Sequence, residues 1–123
     1  MAATGRGYTI GESDQRPWGE WHVLDVGAGY AVKRIRVRPG GVLSLQRHQH
    51  RAEDWTIVAG QARVTLGTRV FDVPSGGAVH INVGDTHRIS NPGSEDVVFI
   101  EVQTGAVLSE SDIERLEDRY GRS

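Results

Sequence analysis

The sequence predicts an all-β domain built as an antiparallel sandwich or barrel. Three observations carry that expectation. Short runs in which apolar and polar residues alternate follow one another closely along most of the chain, and such alternation marks half-buried strands. Glycines outnumber prolines 16 to 4, and many of them stand between those runs, where turns need them. No long stretch carries helical periodicity before residue 109, and there is no internal repeat or low-complexity segment.

The whole-chain numbers set bounds. With 123 residues the chain has the size of one domain with one hydrophobic core. A net charge of −2 offers no bulk attraction to nucleic acid or to an anionic membrane, so neither is expected as a partner. The absence of Cys excludes disulfides and thiolate zinc sites. No run approaches the ~20 apolar residues of a membrane span. The first eleven residues lack the apolar core of a signal peptide, and a cytoplasmic protein is the expectation.

Taken in order, residues 1–16 are polar, glycine-bearing and without period, and read as a flexible N-terminal arm. Residues 17–123 read as the folded domain. Trp18 and Trp21 around Gly19 read as a packing clasp. Strands are expected over 21–26, 30–38, 42–50, 55–59, 62–66, 69–73, 78–81, 86–90 and 97–103. Turn residues such as Gly27-Ala28-Gly29, Pro39-Gly40-Gly41 and Asn91-Pro92-Gly93 separate them. Residues 109–121 read as a short C-terminal helix. Ser111 with Glu114 fits a capping box, Ile113, Leu116 and Tyr120 share a face, and Gly121 is a stop.

The strand over 42–50 holds the chemistry. Alternation puts Gln46, His48 and His50 on one face. Two imidazoles on one face can converge on an ion, and Glu53 and His87 follow within reach. His-x-His alone reads as a solvated strand face. Joined by Gln46, Glu53 and Gly84-x2-His87, it reads as a divalent metal held inside a small barrel.

Two further polar residues fall on unexpected faces. Lys33 shares its face with Ala31, Ile35 and Val37. It reads either as a phosphate-binding point charge or as a side chain snorkelling at the barrel mouth. Arg34, Arg36 and Arg38 lie opposite and read as a solvated outer face. Glu101 and Gln103 share a face with Phe99 and look either into the cavity or outward to ion pairs.

Gly41-x6-His48-x-His50-x2-Glu53-x6-Gly60 and Gly84-x2-His87-x3-Asn91 resemble the two cupin motifs. The likeness extends to Arg16-Pro17-Trp18-Gly19, Leu43-Ser44-Leu45-Gln46-x-His48-x-His50-Arg51-Ala52-Glu53-x-Trp55, Asn91-Pro92-Gly93, Ile100-Glu101-Val102-Gln103-x-Gly105 and Glu117-Asp118-x-Tyr120-Gly121-Arg122. Together these resemble the type II mannose-6-phosphate isomerase family over residues 14–122. That family also occurs as the C-terminal domain of bifunctional guanylyltransferase/isomerase enzymes. The sequence holds no Gly-rich nucleotidyl-transfer segment, so guanylyltransferase activity is not expected. Asp54 stands where the family commonly has His, Asn82 where it has Pro, and Pro74-Ser75-Gly76-Gly77 where it has a polar segment.

The resemblance implies a cupin jelly-roll barrel, a double-stranded β-helix that forms a homodimer. It implies one divalent ion, zinc above manganese, iron, cobalt or nickel, on Gln46, His48, His50, Glu53 and His87. It also implies interconversion of mannose 6-phosphate and fructose 6-phosphate through a cis-enediol. Glu101 is the first candidate for the base and His50 the second. Lys33, Arg51 and Arg88 are candidates for the sugar phosphate, Lys33 with a catalytic role as well. Two other classes remain open: an iron dioxygenase-like cupin, and a non-catalytic sugar-phosphate-binding cupin.

Overall fold

The computed structural model describes residues 7–118 and 120. Among the described residues there are eleven strands: β1 (Ser13–Arg16), β2 (Gly19–Gly27), β3 (Tyr30–Val37), β4 (Leu45–Arg47), β5 (Arg51–Ala59), β6 (Gln61–Leu66), β7 (Arg69–Pro74), β8 (Ala78–Ile81), β9 (His87–Ser90), β10 (Val97–Gly105) and β11 (Glu114–Glu117). They form two antiparallel sheets. The six-stranded sheet runs β1-β2-β3-β10-β5-β8, and the five-stranded sheet β11-β4-β9-β6-β7. Among the described residues there is no helix, hence none long and apolar enough to cross a membrane.

Alternation along the long strands sorts the core into two ends. On β3, β5 and β10 the inward residues begin apolar at one end, with Ile35 and Val37, Ile57, and Val97 and Phe99. At the other end the same faces carry Lys33, Arg51, Glu53, Glu101 and Gln103, all buried. Register brings these polar residues side by side: Glu101 lies opposite Lys33 on β3 and opposite Trp55 on β5, and Gln103 opposite Glu53. The apolar end supplies the burial that holds the barrel, since a side chain such as Phe99, fully enclosed, contributes about 1.5–3 kcal/mol. That burial offsets the cost of desolvating the polar end.

Three expectations need correction. The stretch read as a flexible arm over 1–16 is docked from Gly7 onward. Its β1 pairs with β2, and Tyr8 joins the hydrophobic core with its ring edge-on to Trp21. Residues 1–6 lie outside the described residues.

The short C-terminal helix is replaced by β11, which pairs with β4 at the edge of the five-stranded sheet. Glu114 lies opposite Arg47 and accepts two hydrogen bonds from it, at 2.9 and 3.0 Å. The open edge of β4 offers backbone partners that a short isolated helix would have to forgo. Positions 119 and 121 of the expected helix lie outside the described residues.

The strand expected over 42–50 is shortened to β4. The chain turns at Gln49 and His50, whose backbone N–H groups each donate to the Asp112 carboxylate at 3.0 Å. It re-enters the sheet at Arg51, four residues earlier than expected.

Candidate metal centre

The turn after β4 decides which histidines meet. His48, at its start, is buried, whereas His50 has rotated to the exposed surface. Alternation predicts His50 beside His48 only if the strand continues, and it does not. His50 therefore stands outside the cluster, in a shallow surface hollow with Arg47 and Glu114. Gln46 lines the pocket that holds Glu53 and His87 and lies opposite His87 in the β4–β9 register.

Three of the five expected ligands converge. His48, Glu53 and His87 are all buried, and their ligand atoms lie within 4.8 Å of one another. Glu53 Oε2 is 3.1 Å from His48 Nε2, and Glu53 Oε1 is 3.9 Å from His87 Nε2. The outer nitrogen of each ring is committed. His48 Nδ1 donates to the Asp112 carbonyl at 2.6 Å and His87 Nδ1 to the Asp85 carbonyl at 2.9 Å. A carbonyl only accepts, so Nδ1 carries the proton and Nε2 presents its lone pair inward. Gln46 directs its amide nitrogen to Ser44 Oγ at 2.9 Å, which leaves its carbonyl oxygen as the atom able to ligate.

The electrostatics favour the ligating forms. Burial alone would raise the Glu53 carboxyl, but the Arg51 charge outweighs it and holds the group well below the usual range. Arg51 Nε donates to Glu53 Oε2 at 2.9 Å, its Nη1 reaching the Ser109 carbonyl at 3.1 Å. Burial pushes His87 below its ordinary value, against the pull of Glu53, toward the neutral imidazole a metal requires. Two imidazoles and an ionised carboxylate, each oriented from behind, fit a first-row divalent ion.

Beside the ligands sits a second carboxyl. The Trp55 indole N–H donates both to Glu53 Oε1 at 2.9 Å and to Glu101 Oε1 at 3.1 Å. Gln103 Nε2 donates to the other Glu101 oxygen at 2.7 Å. Burial and then the Glu53 charge push Glu101 up to about 8, since two neighbouring carboxylates resist ionising together. Of the two faces left open by the sequence, Glu101 takes the inner one.

The cationic residues divide. Lys33, Arg51 and Arg88 all line the pocket that holds Glu53, His87 and Glu101. Lys33 is not at the surface: its ammonium meets Glu110 at 2.7 Å and lies over the Tyr8 and Trp21 rings. Arg88 Nε donates to the Leu43 carbonyl at 2.9 Å, and its Nη1 pairs with Glu117 at 2.8 Å. Arg34 and Arg38 are exposed, and Arg36 pairs with Glu20 and Asp96 on the outer face. Asp54, opposite in parity to Glu53, also points outward. There it bonds His80 Nδ1 at 2.6 Å, while Asn82 takes His80 Nε2 at 2.9 Å. Two of the departures from the family pattern thus meet on one exposed histidine, away from the ligands.

Tyr8, Trp21, Glu110 and Asp112 belong to the site and were not singled out for it from the sequence. Asp112 and Glu110 sit in a segment whose Ser111/Glu114 spacing suggested a helix cap, and no local signal marks their contacts with residues some 60 to 100 positions away.

Two antiparallel sheets with a His/Glu/His cluster between them have the cupin fold, as comparison with solved structures shows. The cupin domain of Schizosaccharomyces pombe Cnp3 superposes with a TM-score of 0.71 at 18% identity, over 81% of this chain and 74% of that one. The chain belongs to the family described as mannose-6-phosphate isomerase C-terminal, whose model matches residues 6–118. It is 49% identical over 108 residues to the alginate biosynthesis protein AlgA of Pseudomonas syringae pv. tomato, covering 88% of this chain and 22% of AlgA. It is equally identical over 107 residues to the mannose-1-phosphate guanylyltransferase ManC of Salmonella typhimurium, covering 87% of this chain and 22% of ManC. The chain thus spans less than a quarter of the length of these relatives.

Proposed function

We propose that the chain is a metal-dependent aldose–ketose isomerase that interconverts mannose 6-phosphate and fructose 6-phosphate. The observation that carries this reading is the pairing, in one pocket, of the His48/Glu53/His87 cluster with the buried Glu101 carboxyl held by Trp55 and Gln103. Membership of the mannose-6-phosphate isomerase C-terminal family supports it.

His48, Glu53 and His87 would hold the ion, with Gln46 as a further ligand. When bound, it supplies Lewis-acid stabilisation of charge on the sugar oxygens. Zinc, manganese, iron, cobalt and nickel all accept this ligand set. Arg51, bonded to Glu53, orients that carboxylate. Glu101, in its ionised form, moves the proton: it takes one from C2 of the open-chain aldose, leaving a cis-enediolate, and returns it to C1 while the O2 proton passes to O1. A carboxyl tuned near the working pH serves both halves of that transfer. Lys33 and Arg88, at the pocket wall, face the phosphate end. The enclosing Trp21, Trp55 and Phe99 exclude water from the exchanging proton.

The test is direct. Protein purified without chelator is assayed for metal content and for mannose 6-phosphate turnover in the same sample. Bound metal together with turnover that chelation and His48→Ala both abolish is the expected result. Stoichiometric metal without turnover on any of several sugar phosphates would overturn the reading. Glu101→Gln should retain metal and lose about 10²- to 10⁴-fold in kcat, whereas unchanged turnover would remove Glu101 from the role.

A further inference from the structure

We propose that Glu110 is an internal stand-in for the anionic group of the ligand. It fills a phosphate-monoester seat built from Lys33, Arg16 and Tyr8 at the mouth of the barrel. The proposal rests on reading the pocket as a sugar-phosphate site, and it names where the phosphate goes and what must leave first.

The seat is a donor set looking for an anion. Lys33 is 3% exposed, and a buried ammonium needs a negative partner. Two aromatic faces attract it, at 4.3 Å over Tyr8 and 4.1 Å over Trp21, but neither neutralises it. The full charge comes from Glu110 Oε2 at 2.7 Å. The same carboxylate oxygen accepts from the Tyr8 hydroxyl, and the other lies 3.8 Å from Arg16 Nη2. An ammonium, a guanidinium and a phenol converging on one anion are the donors that recognise a phosphate ester. Arg16, Lys33 and Glu110 line the same pocket as Glu53 and His87, so the seat opens toward the metal ligands.

Glu110 is the member able to leave. Its side chain is 35% exposed, against 4% for Lys33. Its backbone is pinned on both sides. The Ser109 carbonyl accepts from Arg51, and the Asp112 carboxylate holds the Gln49 and His50 amides. Rotation of the Glu110 side chain alone would therefore clear the seat, with no refolding of the segment. The departing carboxylate regains water at the surface, whereas Lys33 cannot follow it. The seat thus stays charged and unmatched until another anion arrives, and exchange of anions becomes the favoured event. A phosphate ester carries more charge and more acceptor oxygens than a carboxylate, so it wins that exchange while a neutral sugar does not.

The experiment measures inorganic phosphate binding by calorimetry to the purified chain and to Glu110→Gln. Removing the competing carboxylate should tighten phosphate binding about tenfold or more. Adding Lys33→Met to Glu110→Gln should remove the gain, which separates the seat from phosphate held at a metal. Unchanged or weakened phosphate binding in Glu110→Gln overturns the proposal. If that variant does not fold, Glu110→Asp, which keeps the charge but withdraws it by one methylene, should give a smaller gain, and no gain overturns the proposal equally. Mannose 6-phosphate should gain with inorganic phosphate, and mannose should not; a gain for mannose would also overturn it. Phosphate gain in a chain without isomerase turnover leaves the seat standing and defeats the isomerase reading. Turnover in the unaltered chain without that gain defeats the seat alone.

Discussion

Glu101 and Glu110 are both carboxyls inside one pocket, and their neighbours drive them in opposite directions. Glu101 is raised to about 8 by burial and by Glu53. In the metal-free chain it keeps its proton when folded, over a range where the unfolded chain has released it. Its contribution to stability is therefore full below the ordinary carboxyl value and is lost as pH rises through about 8. Burial would also raise Glu110, but the Lys33 charge and the bonds from Lys33 and Tyr8 bring it down to about 2. Its contribution is present above the ordinary value and is lost as pH falls toward about 2. Melting curves taken across pH in chelator should show this: Glu101→Gln flattens the alkaline limb, and Glu110→Gln flattens the acid limb. An alkaline limb unchanged by Glu101→Gln would remove that residue as its source. The convergence of His48, Glu53 and His87 was legible from residue type and spacing. His50 was misplaced for a physical reason: two amide hydrogens donated to Asp112 end the strand on which its parity depended. Metal affinity tests the role of Asp112. Asp112→Ala loosens the segment whose carbonyl orients His48, and it should cost about 10- to 100-fold in affinity, read by competition with a chelating dye.

At the scale of the element, the strands that alternate over many residues were readable, and the short ones were not. β3, β5 and β10 carry their inward faces in plain sight, because Ala31, Ile35 and Val37, or Val97 and Phe99, recur with period two. β1 and β11 owe their form to the edges they pair with, so nothing local distinguishes β11 from a capped helix. The Arg47–Glu114 contact on β11 has both side chains 43% exposed. Glu114→Ala should therefore cost no more than about 1 kcal/mol in denaturant unfolding. The turn between β5 and β6 is a different matter. Gly60 has a φ of +78°, and a Cβ there would lie 2.5 Å from the Asp96 carbonyl oxygen. Gly60→Ala should cost about 1–3 kcal/mol or more in the same measurement, and a neutral result would mean the turn relaxes freely.

The whole molecule is organised as two sheets whose polar residues meet at one end. Glu53 and Glu101 come from the six-stranded sheet, and Gln46 and His87 from the five-stranded one. An ion on these ligands would tie the sheets together and bind the folded state alone. Free metal at a hundredfold excess over its Kd should then stabilise the chain by about 2.7 kcal/mol, seen as a rise in Tm that chelator reverses. The class of the fold was legible because composition and alternation act everywhere along the chain. The lining of its mouth was not, because it depends on which distant segments cover it. That dependence has a consequence for how the protein is made. His48 is held by the carbonyl of a residue 64 positions later. During synthesis, the ring therefore has no fixed orientation until that late segment has left the ribosome and docked. An ion that needs this ring oriented would therefore bind only after Asp112 has docked, so chains ended before Asp112 should lose metal affinity measured by the same competition.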